Sequence, residues 1–276
     1  MIIFTLLILC ASLIAGFLGA LTGLGGGVVI VPLLTLVFKV DIRYAIGASL
    51  ISVIATSSGA ASAYVKEGFS NIRIGMFLEV ATTLGALLGV FIATKLSPSI
   101  IAIIFGLILI HSAYLTLKRI SEPALAHKPD PLAQRLKFDS KYPVPGGFES
   151  YHVQGVPLGF CLMFLAGSIS GLLGIGSGAV KVLAMDQAMR IPFKVSTATS
   201  NFMIGVTAAA GAGVYLNRGY IDPVLSMPVV LGVLLGSLLG ARHLFTAETK
   251  NLRIIFSIII FLLALEMIYS GVKGHI

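Results

Sequence analysis

The chain repeats itself. Displacing the sequence by 151 residues lays Gly174-Ile-Gly-Ser-Gly178 over Gly23-Leu-Gly-Gly-Gly27 without a gap. The same shift puts Cys161 on Cys10, Gly167 on Gly16, Ser200 on Ser49, Thr207 on Thr56 and Tyr215 on Tyr64. It also puts Gly219 on Gly68, Gly236 on Gly85, Gly240 on Gly89 and Phe256 on Phe105. Two like halves, each with a glycine-interrupted apolar segment at the matching place, are the sequence pattern of a secondary transporter's binding site.

Composition sets the solvent. Of 276 residues, 57% are hydrophobic and 11% charged, and the mean hydropathy is +1.01. A soluble domain carries about a quarter charged residues. Apolar runs at 4–38, 44–65, 74–94, 98–117, 155–189, 195–216, 224–246 and 252–272 reach or exceed the ~20 residues that cross a bilayer core as helix. They are continuous rather than alternating, which argues against membrane strands. The expected fold is an all-α polytopic, multi-pass membrane protein. The apolar start lacks the basic region of a secretory signal, and its counterpart at 155–173 lies mid-chain, so it reads as structural. A net charge of +8 resembles that of a nucleic-acid binder. The basic residues fall between spans, however, where they orient a chain in lipid, so no nucleic acid is expected. The group Lys118, Arg119, Lys128, Arg135, Lys137 and Lys141 is diluted by Glu122, Asp130 and Asp139 and is placed in the cytoplasm, with headgroup contact as a weaker option. Cys10 and Cys161 are read as small buried residues. Neither has a His or Cys near it at ligand spacing, and no metal or cofactor is expected.

Residues 119–153 are the one long polar stretch and hold Pro123, Pro129, Pro131, Pro143 and Pro145, which predicts loop rather than helix. The chain divides into a first transmembrane repeat at 1–118, a Pro-rich cytoplasmic loop at 119–153 and a second repeat at 154–276. Segments 4–38 and 155–189 are too long for one simple span. If each crosses once, loop Lys and Arg divide 10 against 8; if each folds back, they divide 13 against 5. The positive-inside tendency favours the second arrangement. Each half then makes an odd number of crossings, giving two inverted-topology repeats with glycine-broken, hairpin-like first helices.

Three glycines in five residues interrupt a helix. The interruption frees N–H groups at the next half-helix, near Val28 and Ala179, and with the helix dipole these favour an anion. Gly23, Gly25, Gly26 and Gly27 are the candidates in one half; Gly174, Gly176, Ser177 and Gly178 are those in the other. Close helix packing is the competing reading, and it is preferred for Gly85/Gly89 and Gly236/Gly240. Lys181 lies three residues past Gly178, where the first half has Ile30. A mid-membrane lysine costs ~2.5–3.5 kcal/mol on insertion scales and usually faces a cavity or partner; snorkelling and pairing with Asp186 are the alternatives. Ser49, Thr197, Ser200 and Asn201 open the following spans with donors for an oxyanion, or with ordinary interhelix bonds. Among Glu79, His111 and Glu266, Glu79 is the best candidate for a coupling ion.

These residues carry a resemblance. The run Gly16-x-x-Gly19-x-x-x-Gly23-x-Gly25-Gly26-Gly27 with Pro32-Leu33, then Ala45-x-Gly47-Ala48-Ser49-Leu50, resembles the sulfite exporter TauE/SafE family. So does the second copy, Gly171-x-x-Gly174-x-Gly176-x-Gly178 with Ser196-x-Ala198-Thr199-Ser200-Asn201. In that copy Ser177 interrupts the glycines, Lys181 is added and Leu183 stands at the place of Pro32. The resemblance implies a secondary transporter that exports a small sulfur-containing anion (sulfite, sulfonate or sulfoacetate-like) across the cytoplasmic membrane by alternating access. The alternatives are an anion channel or an importer of a different small anion. The spans lack a His-Glu-x-x-His or Ser/His/Asp set, so no enzyme is expected. The Gly-x-x-x-Gly faces could serve a homodimer or internal packing equally well.

Overall fold

An apolar run in lipid finds no water for its backbone, so each N–H must bond within the run, and a helix does this. A computed structural model describes residues 2–22, 26–66, 68–117, 130–144, 146–244 and 249–274. In it the first half runs α1 (Ile2–Thr22), α2 (Gly27–Pro32), α3 (Ile42–Lys66), α4 (Ile72–Ala93) and α5 (Pro98–Leu117). The second half runs α7 (Val156–Leu173), α8 (Gly178–Leu183), α9 (Phe193–Asn217), α10 (Pro223–Leu244) and α11 (Thr249–Lys273). Short α2 and α8 each continue into a π-helical turn, Leu33–Val37 and Ala184–Ala188.

The 151-residue repeat carries into three dimensions. Under that shift α2, its π turn, α3 and α4 take the bounds of α8, its π turn, α9 and α10. Left-handed backbone recurs in register at Lys39 and Arg190, and at Gly68 and Gly219. So do the bonds that close the π turns: Val40 N–H to the Leu34 carbonyl and Ile191 N–H to the Met185 carbonyl, both 3.0 Å. Pro32 does not cause the π turn, because Leu183 at the equivalent place precedes the same one.

The two ends of each long segment lie side by side. Phe4 meets Phe38 with ring centroids 5.7 Å apart, and Gln154 N–H donates to the Met189 carbonyl at 3.0 Å. Contacts between elements follow the same exchange. α1 packs on α10 and α4 on α7, while α3 packs on α9 and α5 on α11. Glycine makes the first two crossings close. A Cβ on Gly85 or Gly89 would stand 2.1 or 2.0 Å from the Phe164 or Ser168 carbonyl oxygen, and one on Gly236 would stand 2.0 Å from that of Leu13. The packing reading of these glycines therefore holds, with Gly240's surroundings outside the described residues.

Large apolar side chains cover the outside of the helices, among them Leu6, Ile14, Val80, Leu84, Leu235 and Phe261. A contiguous apolar exterior of this kind suits lipid rather than water. α4 and α7 are each long and apolar enough to cross a membrane. Cys10 and Cys161 also point outward, which corrects the expectation that they are buried. Two small thiols on lipid-facing helix surfaces carry no packing cost.

The polar stretch also differs from expectation. Rather than loop throughout, it contains α6 (Pro131–Arg135) and an antiparallel pair, β1 (Ser140–Val144) with β2 (Gly147–Tyr151). Asp130 caps α6 by accepting from Leu132 N–H at 2.8 Å, and Pro131 takes the first helical turn, where its missing N–H costs nothing. Asn71, at the head of α4, donates to the Phe138 carbonyl at 3.2 Å and to the Tyr151 hydroxyl at 2.7 Å. Burial holds the Tyr151 phenol above its ordinary pKa, so it stays protonated and accepts that bond.

Candidate functional site

The second interruption is built from left-handed backbone. α7 ends at Gly174 (φ +68°), and Gly176 (φ +70°) and Ser177 (φ +45°) follow before α8 begins. Glycine takes such angles freely, and a serine there is strained. In the first half Gly23 and Gly25 lie outside the described residues, while Gly26 keeps helical angles (φ −64°) and leads into α2. The two interruptions meet. A Cβ on Gly27 would stand 2.9 Å from the Gly174 carbonyl oxygen and 2.6 Å from Ser49 Oγ. Gly174 in turn lies against Ile46 of α3, and Gly176 against Ile204 of α9 and Val53 of α3.

The hydroxyl candidates hold this geometry. Ser49 Oγ, on α3, donates across the halves to the Gly174 carbonyl at 2.7 Å. Ser200 Oγ donates to the Gly178 carbonyl at 3.3 Å, and Asn201 Nδ2 to the Thr197 carbonyl at 3.0 Å. The Ser49 donor is thus spent on backbone that the interrupted helix α7 leaves unpaired, and the Ser200 and Asn201 donors on carbonyls within α8 and α9. Buried side-chain oxygens without a hydrogen-bond partner include Ser177 Oγ and Thr197 Oγ1.

Lys181 is completely buried. It does not snorkel. Its Nζ donates to Thr207 Oγ1 on α9 at 2.5 Å. Thr207 Oγ1 in turn donates to Glu79 Oε1 on α4 at 2.7 Å, and Thr83 Oγ1 donates to the same oxygen at 3.1 Å. Thr82 Oγ1 lies 3.3 Å from Thr207 Oγ1, while Glu79 Oε2 is buried with no hydrogen-bond partner. The chain Lys181–Thr207–Glu79 therefore joins α8 and α9 of one half to α4 of the other. His111 and Glu266, by contrast, are exposed on α5 and α11.

The repeat shows what is special here. Ile30, Thr56, Val230 and Val233 occupy the places equivalent to Lys181, Thr207, Glu79 and Thr82. Ile30 and Val233 are fully buried core residues, and Thr56 Oγ1 turns to its own helix, to the Ser52 carbonyl at 3.1 Å. One of two equivalent sites is ionic and the other apolar. Sequence reasoning reached Glu79 and Lys181 but did not join them, and it missed Thr82 and Thr83. The spacing of Glu79, Thr82 and Thr83, three and four residues along one helix face, was the available signal. Among the described residues no cluster of three His, Cys, Asp or Glu could hold a metal ion.

Comparison with known proteins bears on this geometry. The family model for sulfite exporter TauE/SafE matches residues 8–267. The chain is 30% identical over 270 residues to the probable membrane transporter protein YunE of Bacillus subtilis, covering 95% of this chain and 96% of that one. It is 27% identical over 232 residues to YdhB of the same organism, another probable membrane transporter protein, with 84% and 85% covered. A probable membrane transporter protein of Methanocaldococcus jannaschii is 26% identical over 277 residues, with 95% and 94% covered. No solved structure matches. With a family match spanning nearly its whole length and relatives named probable membrane transporter proteins aligned over most of theirs, the chain belongs to the sulfite exporter TauE/SafE family.

Proposed function

We propose that this protein is a secondary transporter that exports small sulfur-containing anions, sulfite or a sulfonate such as sulfoacetate, across the cytoplasmic membrane by alternating access. The observation that carries the reading is the fully buried ammonium of Lys181, one turn beyond left-handed backbone. A positive charge held in a membrane interior marks a solute pathway more often than a structural element. The family description supplies the sulfur oxyanion. Ser177 Oγ, Thr197 Oγ1 and the N–H groups that start α8 complete the donor set, with Gly26 and Gly27 on the other side; Gly23 and Gly25, the remaining candidates, lie outside the described residues.

The repeat supplies the transport cycle. The paired ends of each long segment support a hairpin that leaves the membrane on the side it entered. α3, α4 and α5 then make three crossings, and so do α9, α10 and α11. The halves are thereby inverted, as alternating access by exchange of two equivalent conformations requires. The hairpin arrangement gathers 13 of the 18 loop Lys and Arg on the side of residues 130–151, which is the cytoplasmic side by the positive-inside tendency.

The test is sulfite counterflow in proteoliposomes. The double variant Lys181→Met/Glu79→Gln keeps the buried site neutral while removing the ammonium. Loss of a charged hydrogen bond of 1.5–3 kcal/mol should slow saturable exchange by roughly 10- to 100-fold. An unchanged rate removes Lys181 from the pathway, and unitary currents in place of counterflow would make the protein a channel.

A further inference from the structure

We infer that the transported anion and a proton occupy this site together, the anion on Lys181 and the proton on Glu79. The inference rests on the anion-transport reading and adds its coupling ion. Without ligand, the Glu79 carboxylate is the countercharge of Lys181, relayed through Thr207 at 2.5 and 2.7 Å. An incoming oxyanion needs the same ammonium. When Lys181 turns to the anion, Glu79 is left as a buried carboxylate with neutral threonines around it, and a charge so stranded is strongly unfavourable. Taking a proton from the bulk solution while the site is open removes that cost: one O–H bond forms on Glu79, and the buffer acid or hydronium ion that gave the proton leaves its conjugate base outside. Glu79 Oε2, which has no hydrogen-bond partner, is where the proton sits. The site then holds one positive and one negative group in either state.

No other charge on the packed elements substitutes for Glu79. α4 packs on α7 and α9. α7 carries no Asp, Glu, Lys or Arg. On α9 the one such residue is Lys194, exposed at its first turn, and the other titratable group, Tyr215, lies under Arg43 and Tyr220 at the far end. Arg73, on α4 itself, is held outside by the Lys137 carbonyl at 2.8 Å. Asp186 is buried in the π turn beyond α8, and among the described residues Lys181 is the one charge that faces Glu79 across the halves. The equivalent site, with Ile30 and Val230, has neither charge, so one proton accompanies each anion rather than two.

Two measurements decide this. Purified protein in weakly buffered detergent, with a pH dye, receives ethanesulfonate, whose charge is constant across the neutral range; bound probe is counted by equilibrium dialysis. The wild type should take up about one proton per anion bound. Glu79→Gln, which imitates the protonated side chain, should still bind the probe and take up none. In proteoliposomes with the membrane potential clamped at zero, an external pH one unit lower should concentrate ethanesulfonate inside about tenfold. Glu79→Gln should show no such accumulation. Binding by the wild type without proton uptake overturns the coupling but leaves anion transport standing. A Glu79→Gln protein that cannot bind also overturns it, because the neutral side chain is the binding form. If the wild type neither binds nor exchanges ethanesulfonate or sulfite, the anion reading itself falls.

Discussion

Gly89 has no room for a methyl group. Its Cβ would stand 2.0 Å from the Ser168 carbonyl oxygen and 2.8 Å from the carbonyl carbon. Backbone cannot swing aside as a side chain does, so Gly89→Ala must push α4 away from α7. Overpacking of this kind costs typically 1–3 kcal/mol. Gly213, on α9, faces open space, and alanine there should instead add roughly 0.5–1 kcal/mol, because glycine weakens a helix interior. Unfolding in mild detergent should therefore lower the midpoint for Gly89→Ala and raise it for Gly213→Ala; equal midpoints would refute the close crossing. The Gly-x-x-x-Gly spacing made this packing legible in the sequence. Lys181 was legible too, as a charge in an apolar run. Its circuit was not, because Thr207 and Glu79 are 128 residues apart and local spacing says nothing about which faces of two halves meet.

Among elements, the start of α4 ties the polar connection to the helices. Asn71 Oδ1 caps α4 by accepting from Ile74 N–H at 3.1 Å, while its Nδ2 holds Phe138 and Tyr151. Its own N–H donates to Thr199 Oγ1 of α9 at 3.0 Å, so one residue links both halves and the hairpin. Asn71→Ala removes the cap, worth about 0.5–2 kcal/mol, and both amide donations. Asn71→Asp keeps the acceptor and loses the donors. Hydrogen exchange should accelerate across 140–151 in both variants and at the first turn of α4 only in Asn71→Ala. Protection of 140–151 unchanged in both would show that Asn71 does not dock the hairpin. Prolines signal loop, and in 119–153 that signal masks the Asp130-Pro131 cap-and-first-turn pair. The apolar Tyr142, Val144, Phe148 and Tyr151 give only a short strand pattern, and two strands pack here because Tyr151 and Phe138 bury themselves against α4 and α7.

For the whole molecule, the decisive question is which connections share a side of the membrane. Arg43 Nη2 donates to the Leu96 carbonyl at 2.9 Å, and Tyr44 meets Tyr220 with centroids 5.6 Å apart. These contacts draw the connections before α3, after α4 and after α9 to one end. Asn71, Phe138, Tyr151 and Arg73 gather at the other. If the long segments crossed once, Ser97 and Asp222 would face opposite sides; as hairpins they put both on the same one. Both residues are exposed, as are Ser140 and Lys194. In a background with Cys10→Ser and Cys161→Ser, an impermeant maleimide applied to intact cells should label Ser97→Cys and Asp222→Cys alike. Ser140→Cys and Lys194→Cys should react only after permeabilisation, since the positive-inside tendency puts their end in the cytoplasm. Labelling of Ser97→Cys without Asp222→Cys would break the inversion, and with it the exchange of equivalent states that alternating access needs. The glycine repeat and the charge asymmetry pointed to this arrangement, and the side-by-side ends of each long segment give it a physical reason. An interrupted helix leaves polar backbone that lipid cannot satisfy, and the partner half supplies the bonds, as Ser49 does for Gly174.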